Sequence, residues 1–321
     1  MAFRKPKTQI IGGKFLVYGA THEGKSWFGL TFPKVAVIDS EAGTAFDEGD
    51  EIEIAGRTYN NMVLVDTTAD LDELEENLDA IIDGDVDCET LVVDSETKFY
   101  TAMDIGATEV EEKKARANGK NVDNRAKWGR VKQMTMKLQQ AKLTVSAKGK
   151  HVVSTAQAKE IKEDNTNKVI GYKPDCHSSL PFDYDVVLRF FTETDKKTKE
   201  RKFYAEVIKD RTHVTKVGSI IENCTYDVWK DYFENRTKKG YKSEANFTND
   251  LKKSVGNVLN EAEKSEKLAE DIKTLIKELK GNEEGLASFK KKVSDMKIDL
   301  KALDMEDVDK LKELRDFIKS I

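Results

Sequence analysis

The chain has 321 residues, of which 38% are hydrophobic and 35% charged, enough for one full-sized core and a smaller appendage. No apolar run of about 18 residues spans a membrane; the basic residues 1–7 lack a following apolar signal core; and Cys88, Cys176, Cys224 and four histidines show no metal-ligand spacing, so a cytoplasmic protein with free thiols is expected. The net charge of −5 hides a segregation: Asp39 to Glu112 holds 24 acidic against two basic residues, and Lys113 to Lys150 holds 12 basic against one acidic, a cationic strip suited to a polyanion.

Lys14 to Tyr18 is a short apolar run ending at glycine, the pattern of a buried strand. It leads into Gly19-Ala20-Thr21-His22-Glu23-Gly24-Lys25-Ser26, which fits G-x-x-x-x-G-K-[ST] at every fixed position. The glycines let successive N–H groups turn inward around phosphate oxygens, Lys25 brings positive charge to the β- and γ-phosphates, and Ser26 offers a hydroxyl to Mg2+. A short helix, Lys25 to Thr31, closes before Pro33. Val35 to Ile38 reads as a second buried strand, followed by Asp39 and Glu41, and Met62 to Val65 as a third.

Leu71, Leu74, Leu78, Ile81 and Ile82 recur at helical spacing, and Thr90 to Asp94 is the next strand. A second helix carries Val131, Met134, Leu138, Ala141 and Val145 on one face and Arg130, Lys132, Lys137 and Lys142 on the other, with Trp128 placed either to cap the apolar face at Val131 or to stack on a base. His151 to Ala156 is again a strand. Val186 to Thr192 and Lys202 to Lys209 flank the polar stretch 193–201 as an antiparallel hairpin at the sheet edge. Strands alternating with helices imply an α/β fold with a mostly parallel sheet over residues 1–240. Residues 241–321 form a charged linker and a small helical module with three apolar stripes, Gly281 and Gly285 separating the first two and Asp304 capping the third.

Phosphate binding is not yet hydrolysis, which needs a metal-holding carboxylate and a group that orients the attacking water. Asp94 ends an apolar strand where such a carboxylate sits beside the loop, and Asp39 and Glu41 end a neighbouring one. Here the sequence resembles the RecA-like core ATPases over roughly residues 10–225. Asp39-Ser40-Glu41 stands at the family's D-x-E, whose glutamate activates water, and Val92-Val93-Asp94-Ser95 at its V-V-D-S. Gln157 stands at the glutamine that senses the γ-phosphate and couples it to DNA, and Lys209-Asp210-Arg211 is similar to the K-x-K that reaches a neighbouring subunit's nucleotide. With a phosphate loop beginning at residue 19, the chain looks most like the phage-encoded RecA-core proteins of single-strand annealing and recombination.

The resemblance implies a RecA-like P-loop core, ATP and Mg2+ (held by Ser26 and Asp94), and a homo-oligomer. It also implies single-stranded DNA as partner, beside a single-strand-binding protein and, for a phage-encoded chain, within the host bacterial cytoplasm. Two DNA-facing loops are expected. The first lies within Thr101–Arg130, with Lys113, Lys114, Arg116, Lys120 and Arg125 as first candidates for phosphate contact. The second runs from Ala158 to Leu180 and carries Lys159, Lys162, Lys168, Tyr172, Lys173 and His177. The alternative is a P-loop switch or helicase loader acting on a protein through residues 251–321. A nucleoside kinase lacks an arginine-rich lid here, and a GTPase lacks Asn-Lys-x-Asp, which, with the family, is the ground for adenine over guanine.

Overall fold

The computed structural model describes residues 5–321 apart from 165, 280, 281, 301, 304 and 305. The chain divides into two compact units, residues 1–248 and 249–321.

In the first unit, β1 (Gln9–Ile10) and β2 (Lys14–Gly19) lead into α1 (Lys25–Leu30) and β3 (Val35–Asp39). The small antiparallel pair β4 (Ile52–Ile54) and β5 (Arg57–Tyr59) precedes β6 (Met62–Asp66), α2 (Leu71–Asp83) and β7 (Thr90–Asp94). Two long helices come next, α3 (Glu96–Asn118) and α4 (Asn124–Ala147), then β8 (His151–Lys162), β9 (Val169–Pro174) and the single turn α5 (Leu180–Asp183). The hairpin β10 (Val186–Thr194) and β11 (Arg201–Asp210), β12 (Ile220–Glu222), α6 (Asp227–Lys239) and β13 (Tyr241–Lys242) complete it. The main sheet has the order β12-β11-β10-β2-β8-β7-β3-β6, parallel from β10 to β6, with β11 and β12 antiparallel. In this order β8 is inserted between the phosphate-loop strand β2 and β7. The arrangement gathers the carboxyl ends of β2, β3, β7 and β8 at one edge, where ligands of open α/β sheets bind.

Successive strand residues point to opposite faces, and both faces are covered. Phe15, Val17, Val37, Val92 and Val153 pack with Phe28, Phe32, Trp229 and Phe233 on one side. Ala36, Ile38, Leu91 and Val93 pack against α2, α3 and α4 through Leu74, Leu78, Phe99, Val131 and Leu138 on the other. This two-sided burial is why the strands read as unbroken apolar runs. Asp70 starts α2 by accepting the Asp72 and Glu73 N–H groups, and Gly84 ends it in the left-handed conformation.

Two expected loops are ordered secondary structure. Residues 101–130 form a helical hairpin, turned by Gly119 (φ 59°) and restarted by Asp123, which accepts the Arg125 and Ala126 N–H groups. The buried face of α3 has only about one residue per turn, Phe99, Met103, Ala107 and Glu111, and the acid among them blurs the helical period. Residues 158–162 and 169–174 form a polar ribbon in which β8 continues and β9 returns, Lys159 opposite Lys173. Trp128 does not cap the core: it is half exposed, with the Lys127 ammonium 4.6 Å from its ring. Lys142 is not on a solvated face either, but buried in an ion pair with Glu96. The β10–β11 hairpin is not the last strand pair, since β12 lies outside it.

The second unit is built from α7 (Phe247–Glu278), α8 (Glu283–Met296) and α9 (Val308–Ser320) around Leu268, Ile272, Phe289, Leu311, Leu314 and Ile318. Gly285 lies within the first turn of α8, which Asn282 caps, and α9 is capped by Asp307. The expected cap Asp304 and separator Gly281 lie outside the described residues. Among the described residues no helix is long and apolar enough to cross a membrane.

Candidate functional site

The site is built where β2 stops. A Cβ on Gly19 would lie 2.6 Å from the Glu23 carboxylate and 2.7 Å from the Phe190 carbonyl, so only glycine fits. Gly24 turns the loop into α1 with φ 92°, a conformation other residues resist. The loop is tied internally: Glu23 accepts the Ala20 N–H at 2.5 Å, and the Lys25 ammonium donates to the Ala20 carbonyl at 2.6 Å. Burial lowers the Lys25 pKa against the opposing pull of the Asp94, Glu23 and Glu41 carboxylates.

Ser26 donates to Asp94 at 2.5 Å, and Thr155 donates to the other carboxylate oxygen of Asp94. Burial raises the Asp94 pKa; the Ser26 and Thr155 bonds pull it down, and Asp39 and Glu41 push it up. A buried carboxylate oxygen beside a serine hydroxyl is a hard-oxygen donor set, which fits Mg2+ better than softer metals. Ser26 and Asp94 are the residues that would hold it.

The ends of β3 and β7 are stitched together, Asp39 in register with Asp94. Asp39 fixes its own turn by accepting the Thr44 N–H (2.7 Å), the Thr44 hydroxyl (2.6 Å) and the Glu41 N–H (2.9 Å). Burial pushes the Asp39 pKa up, but these bonds more than offset it and the carboxyl lies below its ordinary value. Ser40 donates its N–H and hydroxyl to the Asp94 carbonyl and accepts the Ser95 N–H at 2.8 Å. Ser95 in turn donates to Glu41 at 2.9 Å, and the Gln157 amide donates to the same Glu41 oxygen at 3.4 Å. The Gln157 N–H donates to the Thr97 hydroxyl, which donates to the Asp175 carbonyl at 2.7 Å. Hydrogen bonds thus run from Glu41 to the root of the β8–β9 ribbon.

Lys25, Ser26, Glu41, Asp94, Ser95 and Gln157 all line one cavity of about 550 Å³. Lys209 and Arg211 are not in it. Lys209 faces Val187 at the start of β10, the sheet end opposite the phosphate loop. Both cations bond carbonyls there: Lys209 those of Pro181 (2.8 Å) and Phe182 (3.1 Å), and Arg211 that of Phe182 (2.9 Å).

The cationic candidates fall on two elements. Lys113, Lys114 and Arg116 lie on the last turns of α3, Lys120 in the turn and Arg125 at the start of α4. Lys113 pairs with Glu109, Lys114 with Glu111 and Arg116 with Glu112, whereas no ion pair engages Lys120 or Arg125 among the described residues. The Lys113 and Arg116 pairs are exposed and contribute about 0.3–0.5 kcal/mol, little enough to be exchanged for phosphate contacts, whereas Glu111 is buried and shared with Arg130. Lys173 lies on β9. Sequence reasoning missed Ser40, Ser95 and Thr155 as orienting groups, and Trp27, Arg201 and Phe203 as walls of the cavity. Ser95 was readable within V-V-D-S, whereas Arg201 and Phe203 reach the site only through the pairing of β11.

The family described as an AAA domain matches residues 11–217. No curated protein matches the sequence. Among solved structures, a KaiC-like protein from the hyperthermophilic archaeon Pyrococcus horikoshii OT3 matches with 16% identity and a TM-score of 0.36, covering 68% of this chain and 93% of that one.

Proposed function

The chain belongs to the AAA domain family, and from that premise we propose that it is a RecA-like, ATP-dependent, single-stranded-DNA-binding recombination or annealing protein that hydrolyses ATP as an oligomer. The supporting observation is the hydrogen-bonded path from Glu41 through Gln157 and Thr97 to the Asp175 carbonyl. It joins the water-activating position to a ribbon bearing Lys159, Lys162, Lys168 and Lys173. DNA pressing on that ribbon shifts the Gln157 strand end, and with it the amide that touches Glu41.

In hydrolysis, the loop N–H groups and Lys25 hold the triphosphate, and Glu41, steadied by Ser95 and Gln157, orients water in line with the γ-phosphate and takes its proton. Mg2+, when bound, neutralises charge on the phosphate oxygens. Lys209 and Arg211, at the sheet end away from their own loop, serve a neighbour's nucleotide in a head-to-tail oligomer. A single-strand-binding protein is the proposed companion on the DNA.

The test is steady-state ATP hydrolysis with and without single-stranded DNA, in wild type, Lys25→Ala and Glu41→Gln. DNA stimulation abolished by both substitutions supports the reading. DNA binding should weaken steeply with salt, the log–log slope being about −0.7 per phosphate contact. Turnover indifferent to DNA, or a flat salt response, would overturn it.

A further inference from the structure

A second cavity, of about 260 Å³, adjoins the phosphate cavity and shares Gly24, Trp27, Arg201 and Phe203 with it. We propose that this slot, between Trp27 on α1 and Phe203 on β11, is the subsite for the purine ring of the nucleotide; the proposal rests on the reading of the loop as a nucleoside-triphosphate site.

The position is set by how a nucleotide must lie. Its phosphates run along Gly24 to Ser26, and Trp27 is the next residue, so the nucleoside leaves the loop beside the indole. Phe203 stands on the other side, its ring carbon 3.6 Å from where a Gly24 side chain would begin. A flat ring entering there meets aromatic groups from two elements, with Ile54 and Cys224 as an apolar floor.

Neither wall is core filling. Trp27 keeps 43% of its surface exposed, although tryptophan is among the side chains that gain most from burial. Its indole is fixed, not free, since the ring N–H donates to the Asp47 carboxylate at 3.2 Å. The Arg201 guanidinium lies 5.5 Å from the centre of the Phe203 ring, bringing positive charge to the mouth of the slot. A purine, with two π-faces, fits such a place: aromatic rings hold bases by stacking, and a neighbouring guanidinium adds a cation–π contact.

The test compares Mg·ATP with Mg·tripolyphosphate, titrated calorimetrically into wild type, Phe203→Ala, Phe203→Tyr and Trp27→Ala. Tripolyphosphate carries the phosphates without the base. Stacking losses predict that Phe203→Ala and Trp27→Ala weaken ATP about tenfold, leave tripolyphosphate affinity unchanged, and that Phe203→Tyr restores ATP affinity. Circular dichroism melts of the variants confirm that each is folded. Parallel loss of both ligands would overturn the proposal, because the rings would then only shape the loop. Unchanged ATP affinity in both alanine variants would overturn it too. Wild type that binds tripolyphosphate as tightly as ATP removes the base subsite and leaves the phosphate site standing. Wild type that binds neither ligand removes the nucleotide reading itself.

Discussion

Ser95→Ala tests whether Glu41 works because it is held. The Ser95 hydroxyl donates to Glu41 at 2.9 Å, and the only other side chain on that oxygen among the described residues is the Gln157 amide at 3.4 Å. The shorter bond is therefore the main restraint. A hydrogen bond to a charged group contributes about 1.5–3 kcal/mol. Glu41 is solvent-exposed, so water replaces part of that when the hydroxyl is removed. A loss of about 1–2 kcal/mol in the transition state remains, which lowers kcat about 5- to 30-fold. KM for ATP should stay unchanged, because Ser95 donates to Glu41 and not to a residue of the phosphate loop. The melting temperature should also hold, since the Ser95 side chain makes no capping bond to α3.

The assay is a double-mutant cycle on kcat. Glu41→Gln alone should cost about 10²–10⁴-fold, the usual contribution of a general base. In that background Ser95→Ala should add almost nothing, because the group it positions is gone. Two results would refute the reasoning. One is a raised KM at unchanged kcat, which would make Ser95 a binding group. The other is a Ser95→Ala effect that persists undiminished beside Glu41→Gln.

Lys142→Met should destabilise the protein by about 3–5 kcal/mol, the usual cost of leaving one half of a buried ion pair uncompensated. The Lys142 and Glu96 side chains are 2% and 8% exposed. A urea melt that leaves the unfolding midpoint in place would contradict this, and Lys142→Met with Glu96→Gln should recover much of the loss. His151 is held near pKa 4 by burial, against about 6.5 in an unfolded chain. The unfolded chain therefore takes up a proton first, and stability falls as the pH drops below about 6.5, by up to ~1.4 kcal/mol per unit, levelling off below about 4. Urea unfolding at pH 7 and pH 5 should show a steeper loss in wild type than in His151→Gln; equal slopes would remove His151 as the cause. Gly24→Ala forces a side chain into φ 92°. It should lower folding stability by about 1–2 kcal/mol of backbone strain, and an unchanged urea unfolding midpoint would exclude that strain.

The parallel half of the sheet was legible because its strands are apolar on both faces. The runs at Phe15–Val17, Val35–Ile38, Leu91–Val93 and Val152–Val153 have few alternative placements. The phosphate loop was legible because its chemistry is contiguous. Glu111, Lys142 and Glu96 were not, since each is a charged residue buried by a partner far along the chain, at Arg130, Glu96 and Lys142. A local pattern shows the charge and hides the partner. The β8–β9 ribbon escaped for a related reason: exposed strands such as Lys159 to Lys162 and Val169 to Lys173 carry no buried face to impose a period. The same holds for Phe203, whose approach to Gly24 depends on the β10–β11 pairing.

The site also resolves an ambiguity in the sequence itself. Asp39-Ser40-Glu41 and Asp94-Ser95-Glu96 are the same tripeptide at the ends of two adjacent strands, with the aspartates in register. Their glutamates have opposite fates, decided by the path of the chain beyond each strand. After β3 the chain enters a turn closed by Asp39 and Thr44, which leaves Glu41 exposed beside the cavity. After β7 the chain enters α3 at once, and Glu96, its first residue, is buried beneath β8 with Lys142, Ser154 and Tyr184. A carboxylate anchored by a buried lysine and two hydroxyls is already fully engaged and unavailable to water. Glu41, with one short bond and an open side, stays accessible from the cavity. Of two identical motifs, the geometry leaves only the first open to the cavity, as the proposed hydrolysis requires, and the second fixes the helix whose N-cap Ser95 and first-turn Thr97 hold Glu41 and Gln157 in place.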